Sequence, residues 1–346
     1  MNAPSHLQLA GAAASPYTQK MAALLRYRRI RYALRWGDPS RICEELGVDK
    51  PRPTLLPTFF MEEDGQLRAR CDSTPIIRHL ESLYSGRSVI PKDPPLAFID
   101  YLVEDFADEW CTKFMFHYRW SRQTDADNAG TLLPLGTDVS MTGSTLAQAK
   151  AAFSARQIAR LYVVGSNRDT APIIEASYRR FLRAMEKHLA SQPFVLGSRP
   201  CAGDFALHGQ LSQLVGFDPT PRAIAHELSP RTVAWVDLMR DLSGLEVSDD
   251  DWISLEDQPD TLRDLLGEIG RVYAPAQLAN AQALAAGADT WEAEIDGAAW
   301  QQPAFPYQAK CLQWTNDAYR AMSAADRARA DRMLAGTGIG AMLTCE

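Results

Sequence analysis

The chain has 346 residues, 46% of them hydrophobic and 23% charged, with 21 glycines and 21 prolines. That is ordinary globular composition; it excludes a disordered chain and a fibrous repeat, and the length suits two domains better than one. Forty-three acidic residues against 36 basic ones leave a net charge of −7, which argues against a broad grip on nucleic acid or an anionic membrane.

The first ninety residues mix two periodicities. Leu7-Gln8-Leu9-Ala10 alternates and predicts a strand. Residues 7–14 also imitate the apolar part of an export signal, but the run is short and residues 1–6 carry no Lys or Arg, so export is not expected. Ser15-Pro16 is a helix start, with serine as N-cap and proline at the first helical position. Met21, Leu24 and Leu25 share one face of a helix over about 16–28. Ile30, Tyr32 and Leu34 then alternate with Arg31 and Arg35, which predicts a second strand and completes a β-α-β unit. Ile42, Leu46 and Val48 suggest a short helix, broken by Pro51, Pro53 and Pro57. Residues 58–62 and 67–71 read as two strands joined at the turn dipeptide Asp64-Gly65. Asp72 or Ser73 caps a third helix, with Pro75 in its first turn and Ile76, Ile77, Leu80, Leu83 and Tyr84 on its apolar face.

Residues 85–95 have a linker composition, with Gly86, Pro91, Pro94 and Pro95. From residue 96 onward there is almost no strand signal. Phe98, Tyr101, Leu102, Phe106 and Trp110 space as a long helix that can run to Trp120. Residues 122–145 are polar, contain Gly130, Gly136 and Gly143, and are predicted as a long loop. Ile173, Tyr178, Phe181, Leu182, Met185 and Leu189 mark another helix; Leu207, Leu211, Leu214 and Val215 mark one starting near Asp204. Residues 230–346 are mainly helical by pattern, with breaks around 246–260 and 297–306. The predicted class is α/β plus all-α: an α/β domain over 1–90, then a helical domain over 91–346 that includes an extension from about 230.

Other chemistries find little support. The histidines at 6, 79, 117, 188, 208 and 226 form no i,i+4 pair and no H-E-x-x-H, so no metal site is expected. Asp249-Asp250-Asp251 lacks the alternation and glycine of a calcium loop. Cysteines 43, 71, 111, 201, 311 and 345 are scattered without a C-x-x-C pair, which suits reduced thiols in a cytoplasmic protein. Arg26, Arg28, Arg29 and Arg31 form a basic cluster expected on a solvated face.

Three segments resemble the glutathione S-transferase superfamily: Ala14-Ser15-Pro16-Tyr17-Thr18-Gln19-Lys20, Leu56-Pro57-Thr58, and Cys71-Asp72-Ser73-Thr74-Pro75-Ile76-Ile77. A weaker fourth, 194–205, is similar to the family's Ser/Thr-x-x-Asp box, with Cys201 in place of the usual hydroxyl; that departure puts the box's local folding role in doubt. The resemblance implies a thioredoxin-like first domain that binds glutathione as co-substrate, with no metal. It implies a small-molecule electrophile, a homodimer, and no nucleic-acid or membrane partner.

Each segment also has a physical reading. A hydroxyl at a helix N-terminus, where free N–H groups carry partial positive charge, can donate to a thiolate and lower a bound thiol's pKa. Ser15 is the expected catalytic group, with Tyr17 and Thr18 as alternative hydroxyls; otherwise Ser15 simply caps its helix. Pro57, preceded by Leu56, resembles the family's cis-proline, whose preceding residue pairs with the cysteinyl backbone of glutathione; Pro53 competes for that role. Asp72 and Ser73 match a zwitterion: a helix start and hydroxyl for the γ-glutamyl carboxylate, a carboxylate for its ammonium. The long helix faces the interdomain cleft in this family, which makes Trp110, Phe114 and His117 candidate lining residues, and Tyr17 beside Ser15 is a further one. The expected function is a glutathione-dependent transferase, and the alternative is a non-catalytic module of the same fold that binds a ligand or protein. A thiol-disulfide reductase ranks last, because a serine at position 15 cannot form the mixed disulfide.

Overall fold

The structure, a computed structural model, describes residues 7–343. Its first domain runs β1 (Leu7–Gly11), α1 (Pro16–Tyr27), β2 (Tyr32–Trp36), α2 (Pro39–Leu46), β3 (Thr58–Glu63), β4 (Gln66–Arg70) and α3 (Ser73–Leu83). The sheet order is β2-β1-β3-β4; β1 pairs parallel with β2, and the β1–β3 and β3–β4 pairs are antiparallel. The order of elements along the chain is the one read from the sequence, and the fold is the thioredoxin-like one that the resemblance implied. Leu7, Leu9 and Ala10 are buried, so β1 is a core strand. A parallel pair needs a crossover; α1 supplies it, and its N-terminus therefore opens just past the end of β1. Asp64 and Gly65 both have positive φ, as a tight two-residue turn demands.

The rest is largely helical. The long helix is α4 (Pro94–Phe106) and α5 (Thr112–Ser121), joined by a π-helical turn over Ala107–Cys111. Then come α6 (Gln123–Leu135), α7 (Gly143–Ile158), α8 (Ala171–His188), α9 (Ala202–Leu214), α10 (Pro219–Leu228) and α11 (Pro230–Leu238). The last third holds α12 (Asp260–Glu268), a π-helical turn, α13 (Ala274–Ala285), β5 (Thr290–Ile295), β6 (Ala298–Pro303), α14 (Pro306–Ala321) and α15 (Ala324–Leu334). Every residue of α9 is buried. It is the spine against which α1 and α4 pack. A Cβ on Gly209 would sit 2.6 Å from the Pro16 carbonyl oxygen, so this glycine lets α1 approach α9 closely.

Several expectations are corrected. Residues 122–145 hold α6 and the start of α7, not a long loop. Gly130 is the misleading signal: it lies inside α6 because α7 crosses there, and a Cβ would come within 2.3 Å of Ser154 Oγ. The helical region contains a hairpin, β5–β6, turned at Asp296-Gly297 with positive φ at both. An Asp-Gly dipeptide also marks the β3–β4 turn. The arginine cluster is part solvated face, with Arg29 and Arg31 exposed, and part tether. Arg28 is buried against Glu81 at 2.8 Å, Arg26 donates to the Arg240 carbonyl, and Arg29 reaches the Ser243 carbonyl and Glu246. Arg26 and Arg29 thus clamp the first domain to the segment after α11. The helix box at α9 is intact despite Cys201: the Cys201 N–H donates to Asp204 Oδ2 at 2.9 Å and the Val195 N–H to Asp204 Oδ1 at 3.0 Å. Among the described residues Cys43, Cys71, Cys111, Cys201 and Cys311 are unpaired thiols; position 345 lies outside them. No described helix is long and apolar enough to cross a membrane.

Candidate functional site

Ser15 caps α1 with extended backbone, and its Oγ accepts the Thr18 N–H at 3.3 Å. Accepting that bond leaves the hydroxyl proton free to donate outward. Outward lies a cleft of about 720 Å³ between the first domain and the helices. One wall is residues 11–16, Asp38 and Leu56; the other is Met115, Phe116, Arg119, Trp120, Phe153 and Phe217. Trp120 contacts the rings of Phe116 and Phe153 at 6.5 and 5.9 Å, which makes the far wall aromatic.

Of the three candidate hydroxyls, only Ser15 lines this cleft. Tyr17 donates its phenol proton to the Asp108 carbonyl at 2.8 Å, and burial, with Glu109 and Asp108 nearby, pushes its pKa well up. Thr18 is fully buried, and its Oγ1 accepts the Ala12 N–H at 3.3 Å, holding the loop before the cap. The Leu56–Pro57 peptide is cis, and so is Arg52–Pro53. Leu56 lines the cleft, and its main chain makes no hydrogen bond among the described residues. It is free to pair with an extended ligand. Pro57 is buried and is not part of the cleft wall.

Trp110, Phe114 and His117 do not line the cleft. Trp110 donates to Ser177 Oγ at 3.1 Å; Phe114 packs on Tyr178 and Phe181. His117 is buried between Ser166 Oγ at 2.7 Å and Glu175 at 3.3 Å, and burial lowers its pKa. The Trp110–Phe114–His117 stripe turns inward and packs against α8 and the hairpin. The neighbouring stripe, Met115, Phe116, Arg119 and Trp120, faces the ligand space.

Arg119 is the residue that sequence reasoning missed. It is 4% exposed, forks onto Asp218 at 2.9 and 3.0 Å, and donates to the Ala14 carbonyl at 3.1 Å. Phe217 lies under its guanidinium at 4.6 Å. Burial raises Asp218 to about 6 against the pull of Arg119. The Arg119–Asp218 pair therefore pins the loop that presents Ser15. An arginine one residue before Trp120, on a helix otherwise rich in aromatics, was the available signal.

The second expected subsite is differently placed. Asp72 has φ +84 and makes no capping bond; its Oδ2 accepts the Tyr307 hydroxyl at 2.8 Å. Ser73 is buried, and its Oγ accepts Lys20 Nζ at 2.9 Å. Lys20 is itself buried and also holds Glu104 at 2.9 Å and Asp108 at 2.6 Å. Burial works against its charge, but the Asp108 and Glu104 carboxylates prevail and its pKa rises. For Glu104, Lys20 and Arg78 overcome burial and hold the carboxyl at about 2. Around them burial pushes Asp100 and Asp105 up to about 7 and Glu109 to about 8. Neither Asp72 nor Ser73 is part of the cleft wall.

A second groove of about 590 Å³ runs between α3, α4 and α14, lined by Arg78, Phe98, Tyr101 and Trp314. Its Thr74 and Ser323 hydroxyls are engaged by Glu104 and Asp326 at 3.0 and 2.7 Å, and the unpaired main chain of Leu56 lies on the other cleft, so the candidate site is the Ser15 cleft. Among the described residues no group of His, Cys, Asp and Glu side chains is arranged to hold a metal ion.

Residues 9–88 match the family model described as glutathione S-transferase, N-terminal domain. Similar solved structures include a GST-like protein from Pseudomonas syringae, 14% identical, covering 68% of this chain and 67% of that one with a TM-score of 0.43. The Tau class glutathione S-transferase from mango, Mangifera indica, is 17% identical, with 76% and 100% covered and a TM-score of 0.41. A glutathione transferase family member from Pseudomonas fluorescens, solved with bound glutathione, is 17% identical, with 69% and 97% covered and a TM-score of 0.39. No curated protein matches the chain.

Proposed function

We propose that the chain, whose residues 9–88 match the glutathione S-transferase N-terminal domain model, is a glutathione-dependent transferase working in the Ser15 cleft. The observation that carries this reading is the free donor hydroxyl of Ser15, set at a helix N-terminus and facing an aromatic-walled cleft beside the unpaired main chain of Leu56. In this reading Leu56 pairs with the cysteinyl backbone of glutathione. The Ser15 hydroxyl and the partial positive charge at the start of α1 stabilise its thiolate. Free thiols titrate near ~8.5, so lowering by one or two units gives a large reactive fraction at neutral pH. The thiolate sulfur then forms a C–S bond to an electrophilic carbon held against Phe116, Trp120 and Phe153, as the carbon's leaving group departs with the bonding pair or, in an addition, as the displaced π pair takes a proton from solvent. Asp72 and Ser73 take the γ-glutamyl ammonium and carboxylate. The protein would act as a homodimer in the cytoplasm, and sedimentation tests the dimer.

The test is calorimetric titration of glutathione into the native protein and Ser15→Ala, with the thiolate absorbance of bound glutathione followed against pH. Binding in both, with the thiolate pKa higher in the variant, supports the reading. No binding to the native protein up to several millimolar would sink it.

One observation favours a second reading, a non-catalytic ligand- or protein-binding module. The start of α3, where the γ-glutamyl group would sit, is engaged by Lys20 and by the C-terminal extension. Glutathione binding without turnover on any electrophile would select this reading.

A further inference from the structure

The first turn of α14 lies on the N-terminus of α3. Tyr307 reaches back across 235 residues to donate its hydroxyl to Asp72 Oδ2 at 2.8 Å. A phenol O–H on a carboxylate is chemically the same kind of partner as the ammonium N–H of a γ-glutamyl group. Tyr307 thus holds the acceptor that the glutathione reading reserves for substrate. Ser73 beside it is 7% exposed, and the cleft wall stops short of both residues. The subsite is covered from the extension's side.

The cover is light. The body of α14 is anchored by buried Cys311, Leu312, Thr315, Asn316 and Tyr319. Just before it, Phe305 is pinned by Asn280 through bonds of 3.0 and 2.8 Å. Between these anchors Tyr307 is 46% exposed, resting edge-on to Trp314 at 6.3 Å. A swing of this one side chain frees Asp72 and leaves the helix in place.

We propose that Tyr307 is a strap across the γ-glutamyl subsite, holding Asp72 until a ligand ammonium displaces it. The inference rests on the glutathione reading above. It makes the extension a regulator of affinity: the apparent dissociation constant is the intrinsic one divided by the fraction of molecules with the strap open.

The experiment is glutathione titration by calorimetry on the full chain and on Tyr307→Phe and Tyr307→Ala, with melting temperatures to confirm folding. Phenylalanine keeps the ring and removes only the hydroxyl. Both variants are expected to bind glutathione about threefold to tenfold more tightly, the net effect of removing one ordinary hydrogen bond at a half-exposed site. Unchanged binding overturns it, and so does weaker binding, which would make Tyr307 part of the subsite's wall. If none of the three proteins binds glutathione, the glutathione reading itself fails and the strap falls with it.

Discussion

Two helices of the first domain start with nearly the same chemistry and end in opposite situations. The start of α1 has Ser15 as cap; the start of α3 has Asp72 and Ser73. Ser15 accepts one local N–H and turns its proton to an open cleft. Ser73 accepts a buried ammonium from 53 residues away, and Asp72 accepts a phenol from 235 residues away. A helix start is an anion-binding feature wherever it occurs. Whether it can act depends on what the rest of the chain lays across it.

The largest expected effect comes from the group that separates the two starts. Lys20→Met leaves Asp108 without its cation and Glu104 with Arg78 alone in a buried setting, and Asp108 Oδ1 already has no partner. Breaking a buried pair from one side costs about 3–5 kcal/mol; chemical denaturation measures it. A loss under about 1 kcal/mol would mean that water reaches the cluster and that Ser73 is not sealed.

The same cluster predicts a pH dependence. Asp100, Asp105 and Glu109 have folded pKa values of about 7, 7 and 8, above the ordinary carboxyl range. Between the ordinary range and those raised values the folded protein keeps protons that the unfolded chain has lost. Their stabilising contribution is full below about pH 4 and is lost as pH rises through 7–8. Glu104, held at about 2, acts oppositely: its contribution is full above the unfolded value and is lost as pH falls toward 2. Melting temperature is therefore expected to be higher near pH 5.5 than at pH 8.5. The reverse slope would show that these acids are ionised in the folded protein.

Gly209→Ala probes the open start. The new methyl would meet the Pro16 carbonyl oxygen at 2.6 Å, so α1 must shift from α9. Overpacking of this kind costs about 1–3 kcal/mol. The shift also moves Ser15 relative to Leu56, so glutathione affinity is expected to fall with stability. Intact affinity would show that the cleft tolerates displacement of α1. Smallest is the stability effect of Ser15→Ala, about 1 kcal/mol for a lost N-cap. A much larger loss would assign Ser15 a mainly structural role and weaken its part in the site.

The strand and helix order of the first domain is legible in the sequence because its signals are local. Ser15-Pro16 sets a helix start, Asp64-Gly65 sets a turn, and alternation marks Leu7, Leu9, Tyr32 and Leu34. The hairpin at Asp296-Gly297 carries an equally local turn signal, masked by the helical pattern on either side of it. The cleft wall is half legible. Aromatic spacing shows that residues 98–120 form a helix with an apolar stripe. It does not show which stripe meets the ligand, and Trp110 and Phe114 went to the core while Phe116 and Trp120 went to the cleft.

The sequence by itself determined the β-α-β, α, β-β, α order of the first domain, the capped start at Ser15 and the helical character of most of the chain beyond residue 95, since hydrogen-bonding propensity and periodicity act over a few residues. Only the tertiary structure decided that Gly130 is a helix crossing rather than a loop, that Arg26 and Arg29 clamp two regions together, and that Lys20 and Tyr307 close the start of α3. Those outcomes depend on which surfaces meet across tens to hundreds of residues. Packing sets that, and local spacing carries no record of it.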